Sequence, residues 1–580
     1  MAQQLRLRSQ KSPKKEEFGA TVEVIVDNGL AHLSEPFTYA INRNQLNVEI
    51  GHLVSVSFGS KNLIGVVVGK SYEFKAGLKF VKKILHNRPV ITSEQIEIIK
   101  KAQKRWSGDF WNYLKFAVPS IPSKKNIEGV KIEGVKRRIE RPELRIGSSF
   151  FDLVDLIKMR SNPSRQILII VPDLNFLQFL KKNIEGKCIE YGSHLEQSQR
   201  VENYLGILTG NANIILGTRS AIFLPLRNDA EILIVDDLSF EFYEKRFPYW
   251  NVRDLALIRS ADHSITFYSH SPSLELVRLV EMNWLRMKQR KMERPNIFFN
   301  DGRVTDLATI KTGLRSGKVL VLVPEKGYVN ALVCKNCRNI RICSKCGGRL
   351  VLSDSHEKPA CSLCKERNQN EKCSFCNFSN FLMFRKGQER QIDELGKQIP
   401  GASIVKYQNL TTPIRSGQVC VATYGNYPLE KFSAVVCLGL EKFGYQNSLR
   451  SSELTRKVLF DIAALRANSY FLDIPSNDYF AQVVNNGDPY KAALKELMER
   501  RTANLPPWYR IVYFQCDSKF VPTLEEQPFI SAVHYEKGTA LIKSKVEDSS
   551  DLVSFLQSIS KYRSLRKLKP WNVKVDPLDI

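Results

Sequence analysis

Hydrophobic and polar positions alternate in the N-terminal part of the chain. The segments ATVEVIVD, HLVSVSF and LIGVVVGK repeat with a period of two, and the turn sequences DNG and FGS lie between them. This period is typical of strands that bury one face. We therefore predict a small β-barrel or sandwich over residues 18–85, preceded by a basic, disordered tail at residues 1–17.

The pattern becomes helical over residues 86–120, where Thr92 followed by Ser93 and Glu94 favours a helix start. This compact helical unit is predicted to be a winged-helix-like module, followed by a charged linker at residues 121–142. Its aromatic residues are predicted to form core rather than to stack on bases: Trp106, Phe110, Trp111, Tyr113 and Phe116.

Short, continuous apolar runs alternate with helical stretches in the rest of the chain. ILIIVP, NIILGT, EILIVDD and SITFYS form a first set, and KVLVLVP, ASIVKY, VCVATY, AVVCLGL and SYFLDI form a second. Strands buried on both faces of a parallel sheet give such runs. The chain is therefore predicted to be multidomain α/β, with a first lobe at 143–290, a second lobe at 291–330 and 381–487, and a C-terminal α+β domain at 488–580.

Four Cys-x-x-Cys pairs lie in an insert of the second lobe, at residues 331–380: Cys334/Cys337, Cys343/Cys346, Cys361/Cys364 and Cys373/Cys376. Four thiolates complete a tetrahedral zinc site, so eight predict two structural zinc ions with no open coordination position. Disulfides are the weaker alternative, because the chain lacks a secretory signal and is otherwise poor in cysteine. The spacing leaves both a nested and a sequential pairing open.

The chain carries a formal net charge of +26, with 86 lysines and arginines against 60 acidic residues. Such a surplus indicates a polyanionic partner, and nucleic acid is favoured over an acidic membrane surface. The sequence contains no apolar run long enough to span a bilayer, so we expect a soluble, cytoplasmic protein without a membrane partner.

Several segments occur in an order that resembles one known family. NGLAHLSEPFTYAI, IILGTRSAIFLPL with EILIVDD, VLVLVPEKGYVNALVCKNC, KGQERQIDEL and LPPWYR follow one another along nearly the whole chain. In this order they resemble the primosomal protein N′ (PriA) family of bacterial replication-restart DNA helicases. The resemblance implies two RecA-like helicase lobes and a nested zinc pairing, one ion held by Cys334, Cys337, Cys373 and Cys376, the other by Cys343, Cys346, Cys361 and Cys364.

The family's nucleotide-binding motifs are degenerate here. A P-loop needs a lysine after its second glycine, since the lysine neutralises the phosphates. Here Gly147, Ser148 and Ser149 are present at that position, but the second glycine and the lysine are missing. Asp236 and Asp237 replace the start of a DEEH box without its glutamate, and Arg466 alone remains of an arginine-finger box. We therefore predict an inactive motor with no catalytic residue, while ATP and magnesium binding without hydrolysis stays an open alternative.

The resemblance also implies a pocket for a DNA 3′ end in the N-terminal module. The matching positions are Phe37, Thr38, Gly59 and Lys79. A phenylalanine stacks on a base, a glycine allows close backbone approach and a lysine attracts phosphate. Thr38 departs from the family, which has an aspartate there.

The leading hypothesis is a replication restart protein without its own helicase activity. By resemblance it would bind stalled or abandoned forks and single-stranded DNA, and promote primosome assembly. Its partners would be the replicative helicase with its loader, other primosome proteins and single-stranded DNA-binding protein. Two alternatives stay open: an active ATP-dependent 3′→5′ helicase with divergent motifs, and an RNA-binding zinc-ribbon protein.

Overall fold

A computed structural model describes most of the chain. It covers residues 18–73, 77–123, 125–128, 132–135, 138–161, 165–292, 296–324, 329–343, 350–351, 359–361, 366–367, 372–373, 375–386, 388–408, 413–440 and 448–578, with the side chains of 329–331 and 383–386 excepted. The tail predicted to be disordered, at residues 1–17, lies outside these ranges. No helix within the described part of the chain is long and apolar enough to cross a membrane.

The N-terminal region is a five-stranded antiparallel sheet in the order β2-β1-β4-β3-β5. Its strands are β1 (Phe18–Val26), β2 (Phe37–Asn42), β3 (Leu53–Phe58), β4 (Lys61–Ser71) and β5 (Lys83–Ile84). Residues 79–84 pair with both ends of this sheet, since Ala40 of β2 bonds Lys79 and Val81 while Ser55 of β3 accepts from Lys82. This segment closes the sheet as a small barrel around Val22, Val24, Val54 and Val56.

Two helices follow the barrel, α1 (Ser93–Trp106) and α2 (Phe110–Ala117). The start predicted at Thr92 is confirmed, because its hydroxyl accepts from the amide of Gln95 in a capping box. Trp106, Phe110 and Tyr113 are buried in a core that continues into the first lobe and the C-terminal domain, which confirms their prediction as core residues. The winged-helix assignment stays a prediction.

The first lobe has a seven-stranded parallel sheet in the order β12-β6-β11-β10-β7-β9-β8. Its strands are β6 (Glu143–Ile146), β7 (Ile167–Ile170), β8 (Cys188–Tyr191), β9 (Ile214–Gly217), β10 (Glu231–Val235), β11 (Ser264–Ser269) and β12 (Arg286–Gln289). Its helices are α3 (Phe150–Arg160), α4 (Leu174–Asn183), α5 (Gln197–Leu208), α6 (Val252–Arg259) and α7 (Leu274–Glu281).

The second lobe has a six-stranded parallel sheet in the order β13-β22-β21-β14-β20-β19. Its strands are β13 (Ile297–Phe299), β14 (Val319–Val323), β19 (Ser403–Lys406), β20 (Gln418–Thr423), β21 (Ala434–Cys437) and β22 (Ser469–Leu472). Its helices are α8 (Asp306–Ser316), α9 (Gln388–Gln398), α10 (Ser451–Ala463) and α11 (Tyr479–Asn486). The runs predicted as buried strands form both sheets, so the mixed α/β prediction with a β-rich N-terminal region is confirmed.

The cysteine-rich insert is framed by an antiparallel pair, β15 (Val329–Cys334) and β18 (Phe381–Lys386). A smaller pair lies inside it, β16 (Leu350–Val351) and β17 (Ala360–Cys361). Pairing of Cys334 with Phe381 brings the two ends of the insert together where they rejoin the lobe.

The C-terminal part begins with α12 (Pro489–Thr502), which packs on α7 of the first lobe through Leu274, Val277, Ala493 and Leu497. An antiparallel sheet follows in the order β24-β25-β23-β26. Its strands are β23 (Tyr509–Gln515), β24 (Ala532–Glu536), β25 (Thr539–Lys545) and β26 (Val573–Val575), with helices α13 (Val521–Glu525) and α14 (Ser549–Leu565).

Candidate functional site

The first and last Cys-x-x-Cys motifs meet at one point. The Sγ atoms of Cys334, Cys337, Cys373 and Cys376 all lie within 4.8 Å of one another. Cys334 Sγ is 3.5 Å from Cys376 Sγ, and Cys337 Sγ is 3.7 Å from Cys373 Sγ. Four convergent thiols are a suitable donor set for a tetrahedral metal ion.

The two motifs have the same backbone turn. The amide of Arg338 donates to Cys334 O at 3.1 Å, and the amide of Asn377 donates to Cys373 O at 2.9 Å. Both residues have a positive φ, 59° for Arg338 and 57° for Asn377. Two matched turns thus direct two pairs of thiols at one position.

Backbone amides favour the thiolate form of two of these cysteines. The N–H of Phe378 is the main cause that lowers the pKa of Cys376 to about 6, and the N–H of Phe375 lowers the pKa of Cys373. Burial acts in the opposite direction on Cys334 and raises its pKa to about 11. A bound cation would favour the thiolate at all four positions.

The four inner cysteines are only partly described. Cys343 and Cys361 are buried together in a small core with Leu332, Leu350 and Phe381. Cys346 and Cys364 lie outside the described residues. The structure therefore locates two of the four predicted ligands of a second ion on one side of the insert.

The residues predicted to bind a DNA 3′ end lie at one end of the barrel. The ring of Phe37 meets the edge of Phe58 at a centroid distance of 5.2 Å, and Gly59 follows Phe58 in an exposed turn. Gly59 has a φ of +58°, and a side chain there would meet nothing within 4 Å. Lys79 is exposed, and its carbonyl accepts from Ala40 of β2 at 2.9 Å.

Thr38 has an acidic neighbour that sequence analysis did not find. Glu23 of β1 lies directly opposite Thr38 in the antiparallel register and is exposed. Directly opposed residues share one face of a sheet. Glu23 is therefore the register neighbour of the position where the family has an aspartate, but its carboxylate lies over Gly69 of β4, on the other side of β1.

A carboxylate of the chain itself lies at the position where the resemblance predicts a P-loop. Asp152 Oδ2 accepts from the amide of Ser148 at 2.8 Å, from Ser148 Oγ at 2.9 Å and from the amide of Ser149 at 3.0 Å. Arg290 Nη1 donates to Asp152 Oδ1 at 2.5 Å. These donors surround the N-terminus of α3, where a nucleotide phosphate is bound in proteins with an intact P-loop.

Asp152 is stabilised as an anion at this position. Burial opposes its ionisation, but the donors on Ser148 and Ser149 and the charge of Arg290 hold its pKa below the usual value. Gly147 has no room for a side chain, because a Cβ would collide with the Tyr268 hydroxyl. Sequence analysis missed Asp152, although the Ser149-x-x-Asp152 spacing is a recognisable capping box.

Of the other predicted nucleotide-site residues, Asp236 and Arg466 are bonded across the two lobes. Asp236 Oδ2 lies 3.0 Å from Lys457 Nζ of α10, and Lys457 also bonds Asp461 at 2.5 Å. Arg466 Nη2 donates to Ser148 Oγ at 2.9 Å. Ser148, Asp236 and Arg466 therefore have protein partners where an intact motor would have nucleotide and magnesium.

Burial disfavours the charged form of both aspartates at the end of β10. It is the main cause that raises the pKa of Asp236 to about 7, against the attraction of Lys457. It likewise raises the pKa of Asp237 to about 6, against the attraction of Arg253. A magnesium ligand needs an ionised carboxylate, so these surroundings do not favour that role.

Helix α10 forms a second group of buried interlobe contacts. Arg456 donates to Ser271 Oγ and to Pro272 O, both at 3.0 Å, and Glu453 accepts from the amide of Leu274 at 3.1 Å. His270 Nδ1 lies 2.9 Å from Asp461 Oδ1. Residues 270–274 of the first lobe are thus bonded to one helix of the second.

An apolar core also crosses the lobe boundary. Phe150 and Val235 of the first lobe belong to the same buried cluster as Leu320 and Leu459 of the second. The two lobes are therefore packed against each other at the predicted nucleotide site.

The N-terminal region matches a known protein-family model. Residues 23–119 match the family model of the PriA 3′ DNA-binding domain. This match includes Phe37, Thr38, Gly59 and Lys79, and it spans both the barrel and the two helices that follow it.

Curated relatives extend the likeness to most of the chain. The probable replication restart protein PriA of Mycobacterium leprae is 24% identical over 550 residues, covering 82% of this chain and 84% of the relative. That of Rickettsia prowazekii is 24% identical over 555 residues, with the same coverage. Replication restart protein PriA of Helicobacter pylori is 23% identical over 625 residues, covering 95% of this chain and 98% of the relative.

Solved structures are more distant. RecG bound to a three-way DNA junction has a TM-score of 0.34 and 10% identity, covering 70% of this chain and 46% of that chain. A DEAD box protein from Methanococcus jannaschii has a TM-score of 0.27 and 11% identity, covering 63% of this chain and 87% of that chain.

Proposed function

We infer from its likeness to replication restart protein PriA that this chain is a replication restart protein. It binds stalled or abandoned replication forks and promotes primosome assembly and reloading of the replicative helicase. The observation that carries this proposal is the match of residues 23–119 to a 3′ DNA-binding domain, within a likeness that covers 95% of the chain for one relative.

The fork would be held through its DNA 3′ end and its phosphates. Phe37 is placed to stack on a terminal base, Gly59 to let the backbone approach it, and Lys79 to attract a phosphate. Thr38 would bond the terminal hydroxyl, and Glu23 lies opposite Thr38 on the neighbouring strand. The net charge of +26 adds attraction that is independent of sequence.

The protein would act without hydrolysing ATP. A helicase lobe needs a phosphate cradle, a magnesium ligand and an arginine finger, each of which supplies orders of magnitude of rate. Here Asp152 fills the cradle, while Asp236 and Arg466 bond other side chains. These contacts support RecA-like lobes that serve as a scaffold rather than as a motor.

The insert would hold two structural zinc ions in a nested arrangement. Cys334, Cys337, Cys373 and Cys376 would bind the ion at the base, and their convergence supports this set. Cys343, Cys346, Cys361 and Cys364 would bind the ion at the tip. Zinc stabilises such a segment, because the binding energy is also folding energy.

The partners proposed by resemblance are the replicative helicase with its loader, other primosome proteins and single-stranded DNA-binding protein. The zinc insert is the proposed contact for them. A cytoplasmic location is part of the same proposal.

Binding of a forked DNA compared with a blunt duplex of the same length tests this function. We expect tighter binding of the fork, with an affinity for either DNA that falls steeply as salt rises. Equal binding of both DNAs at moderate salt would contradict the proposal. Stronger competition by structured RNA than by fork DNA would instead favour the RNA-binding alternative.

A further inference from the structure

The C-terminal domain contains an open cavity of about 880 Å³. Helix α14, residues 516–523 at the end of β23 and the turn between β24 and β25 enclose it. Five aromatic side chains line it: Phe520, Tyr535, Phe555, Tyr562 and Trp571. The proposed 3′-end site, the thiol cluster and the interlobe contacts do not involve these residues.

Two of the lining residues form an ordered stack. The guanidinium carbon of Arg563 lies 3.9 Å from the ring centroid of Trp571, and Arg563 Nε donates to Lys569 O at 2.9 Å. Phe520 supports the Trp571 ring at a centroid distance of 4.9 Å. A fixed aromatic ring with a guanidinium over it is a surface on which a planar base stacks well.

The exposure of Tyr562 and the charge of the lining residues indicate which class of ligand the cavity fits. Tyr562 is 58% exposed, although it lines the cavity. Lys519 and Arg563 line the cavity, against one acidic lining residue, Asp517. The basic residues that follow α14 extend this positive charge: Arg566, Lys567 and Lys569. Aromatic rings among cations match a ligand with planar bases and an anionic backbone.

The helix that lines the cavity also contacts the N-terminal module through its other face. Lys561 Nζ lies 3.0 Å from Glu35 Oε1, and Ser564 Oγ lies 2.9 Å from His32 Nδ1. Glu35 precedes Phe37 by two residues, and Lys561 precedes Tyr562 by one. The same helix therefore contacts the 3′-end module and lines the cavity.

We propose that this cavity binds an unpaired base of single-stranded DNA, stacked on Tyr562 and on the Arg563–Trp571 pair. The proposal rests on the proposed function, since it gives the single-stranded arm of a bound fork a second contact. Arg563 and Lys519 neutralise phosphates on either side of the inserted base.

The test uses the full chain and forks whose single-stranded arm carries either normal bases or abasic sites. Tyr562→Ala is expected to weaken binding of the normal arm about tenfold, the usual effect of removing one base–aromatic stack. It should leave binding of the abasic arm unchanged. Leu565→Ala is the matched control, because Leu565 is 63% exposed on the same helix and does not line the cavity.

A 2-aminopurine in the arm gives a second readout, because its fluorescence is quenched when it stacks. We expect quenching with the wild-type chain and with Leu565→Ala, and its loss with Tyr562→Ala. Normal quenching and normal affinity in Tyr562→Ala would overturn the cavity proposal, as would an equal loss on both arms. Failure of the proposed function is separate, since it would appear as equal binding of fork and blunt duplex by the wild-type chain.

Discussion

At the residue scale, Asp152 occupies the position where the resemblance predicts a degenerate P-loop. Its carboxylate takes the amides and the hydroxyl that a phosphate would otherwise use, and Arg290 supplies the positive charge. A nucleotide phosphate would have to displace this bonded carboxylate and lie next to it without the P-loop lysine. These contacts support the proposal that the lobes do not bind nucleotide at this position.

Phe37 is the residue that tests the 3′-end site. We expect Phe37→Ala to weaken binding of a fork with a free 3′ end about tenfold, since one base stack is lost, and to leave blunt-duplex binding unchanged. Phe37→Leu preserves the packing against Phe58 and should lose the same stack. Tyr72→Ala is the control, because Tyr72 is 71% exposed. Equal losses on both DNAs would indicate a structural role for Phe37.

The raised pKa of Asp236 predicts that the stability of the folded chain depends on pH. Its pKa is raised to about 7 in the folded chain, whereas an unfolded aspartate titrates at about 3.9. Its contribution to stability is therefore fully present below about pH 4 and is lost as pH rises toward 7. Asp236→Asn removes this loss of stability at high pH. Asp237, with a pKa of about 6, still causes a smaller loss of stability as pH rises.

Thermal unfolding at pH 5 and pH 8 measures the effect. We expect the Tm of Asp236→Asn relative to the wild-type chain to be about 5 °C higher at pH 8 than at pH 5. Glu97→Gln, a change to an exposed carboxylate, is the control and should show no such difference. The same Tm difference at both pH values would mean that Asp236 does not titrate between pH 5 and pH 8 and would contradict its folded pKa of about 7.

At the scale of elements, helix α10 joins the lobes. It contributes Glu453, Arg456, Lys457 and Asp461 to contacts with the first lobe. In a working motor the two lobes must move relative to each other as nucleotide binds and leaves. Here the same surfaces are bonded and packed, which suits a fixed scaffold.

Lys457 is the cation shared by two buried carboxylates of this junction. Lys457→Met should reduce the free energy of unfolding by about 3 kcal/mol, because Asp236 and Asp461 then lose their charged partner. Urea unfolding together with hydrogen exchange of α10 would measure it. Lys491→Met, at an exposed position of α12, is the control and should change neither the free energy of unfolding nor the hydrogen exchange of α10. An unchanged urea midpoint in Lys457→Met would show that the apolar core alone holds the lobes together.

The nested zinc arrangement predicts different effects for its two ends. Cys334→Ser should loosen the whole insert, since it removes a ligand at the base where β15 and β18 meet. Cys361→Ser should affect the tip and leave the base ion bound. Metal analysis should give about two zinc ions for the wild-type chain and for the control Cys188→Ser, since four thiolates hold each ion. Fewer than two in the wild-type chain would contradict the assignment.

The sequence was most informative where a pattern is local. Runs such as ILII in β7 and VLVLV in β14 predict strands buried on both faces of a parallel sheet, because every residue in them is apolar. The structure confirms this prediction, since every one of these residues is buried. The Arg466–Ser148 bond joins residues 318 positions apart, and the Glu23–Thr38 pair depends on strand register. Spacing along the chain does not encode such contacts, so the interlobe bonds emerged only from the structure. The contacts of Asp152 are different, because the Ser149-x-x-Asp152 spacing is local and could have been recognised.

At the scale of the whole molecule, DNA-binding features and rigid packing coexist. The barrel and α14 contact each other, and α14 also packs beside α1, where Gln557 bonds Gln103 O at 2.9 Å. The core of α1 and α2 continues into the first lobe. The N-terminal module is therefore attached to the lobes through buried contacts.

DNA-stimulated ATP hydrolysis, measured on a forked DNA beside a binding titration with the same fork, tests the central claim most directly. We expect saturable, salt-sensitive binding of the fork. ATP hydrolysis should not exceed the background of a reaction that contains the fork but no protein. Asp152→Ala should not create activity, because the P-loop lysine and the DEEH glutamate are still missing. Clear ATP turnover by the wild-type chain that rises with bound fork would contradict the account and identify an active helicase.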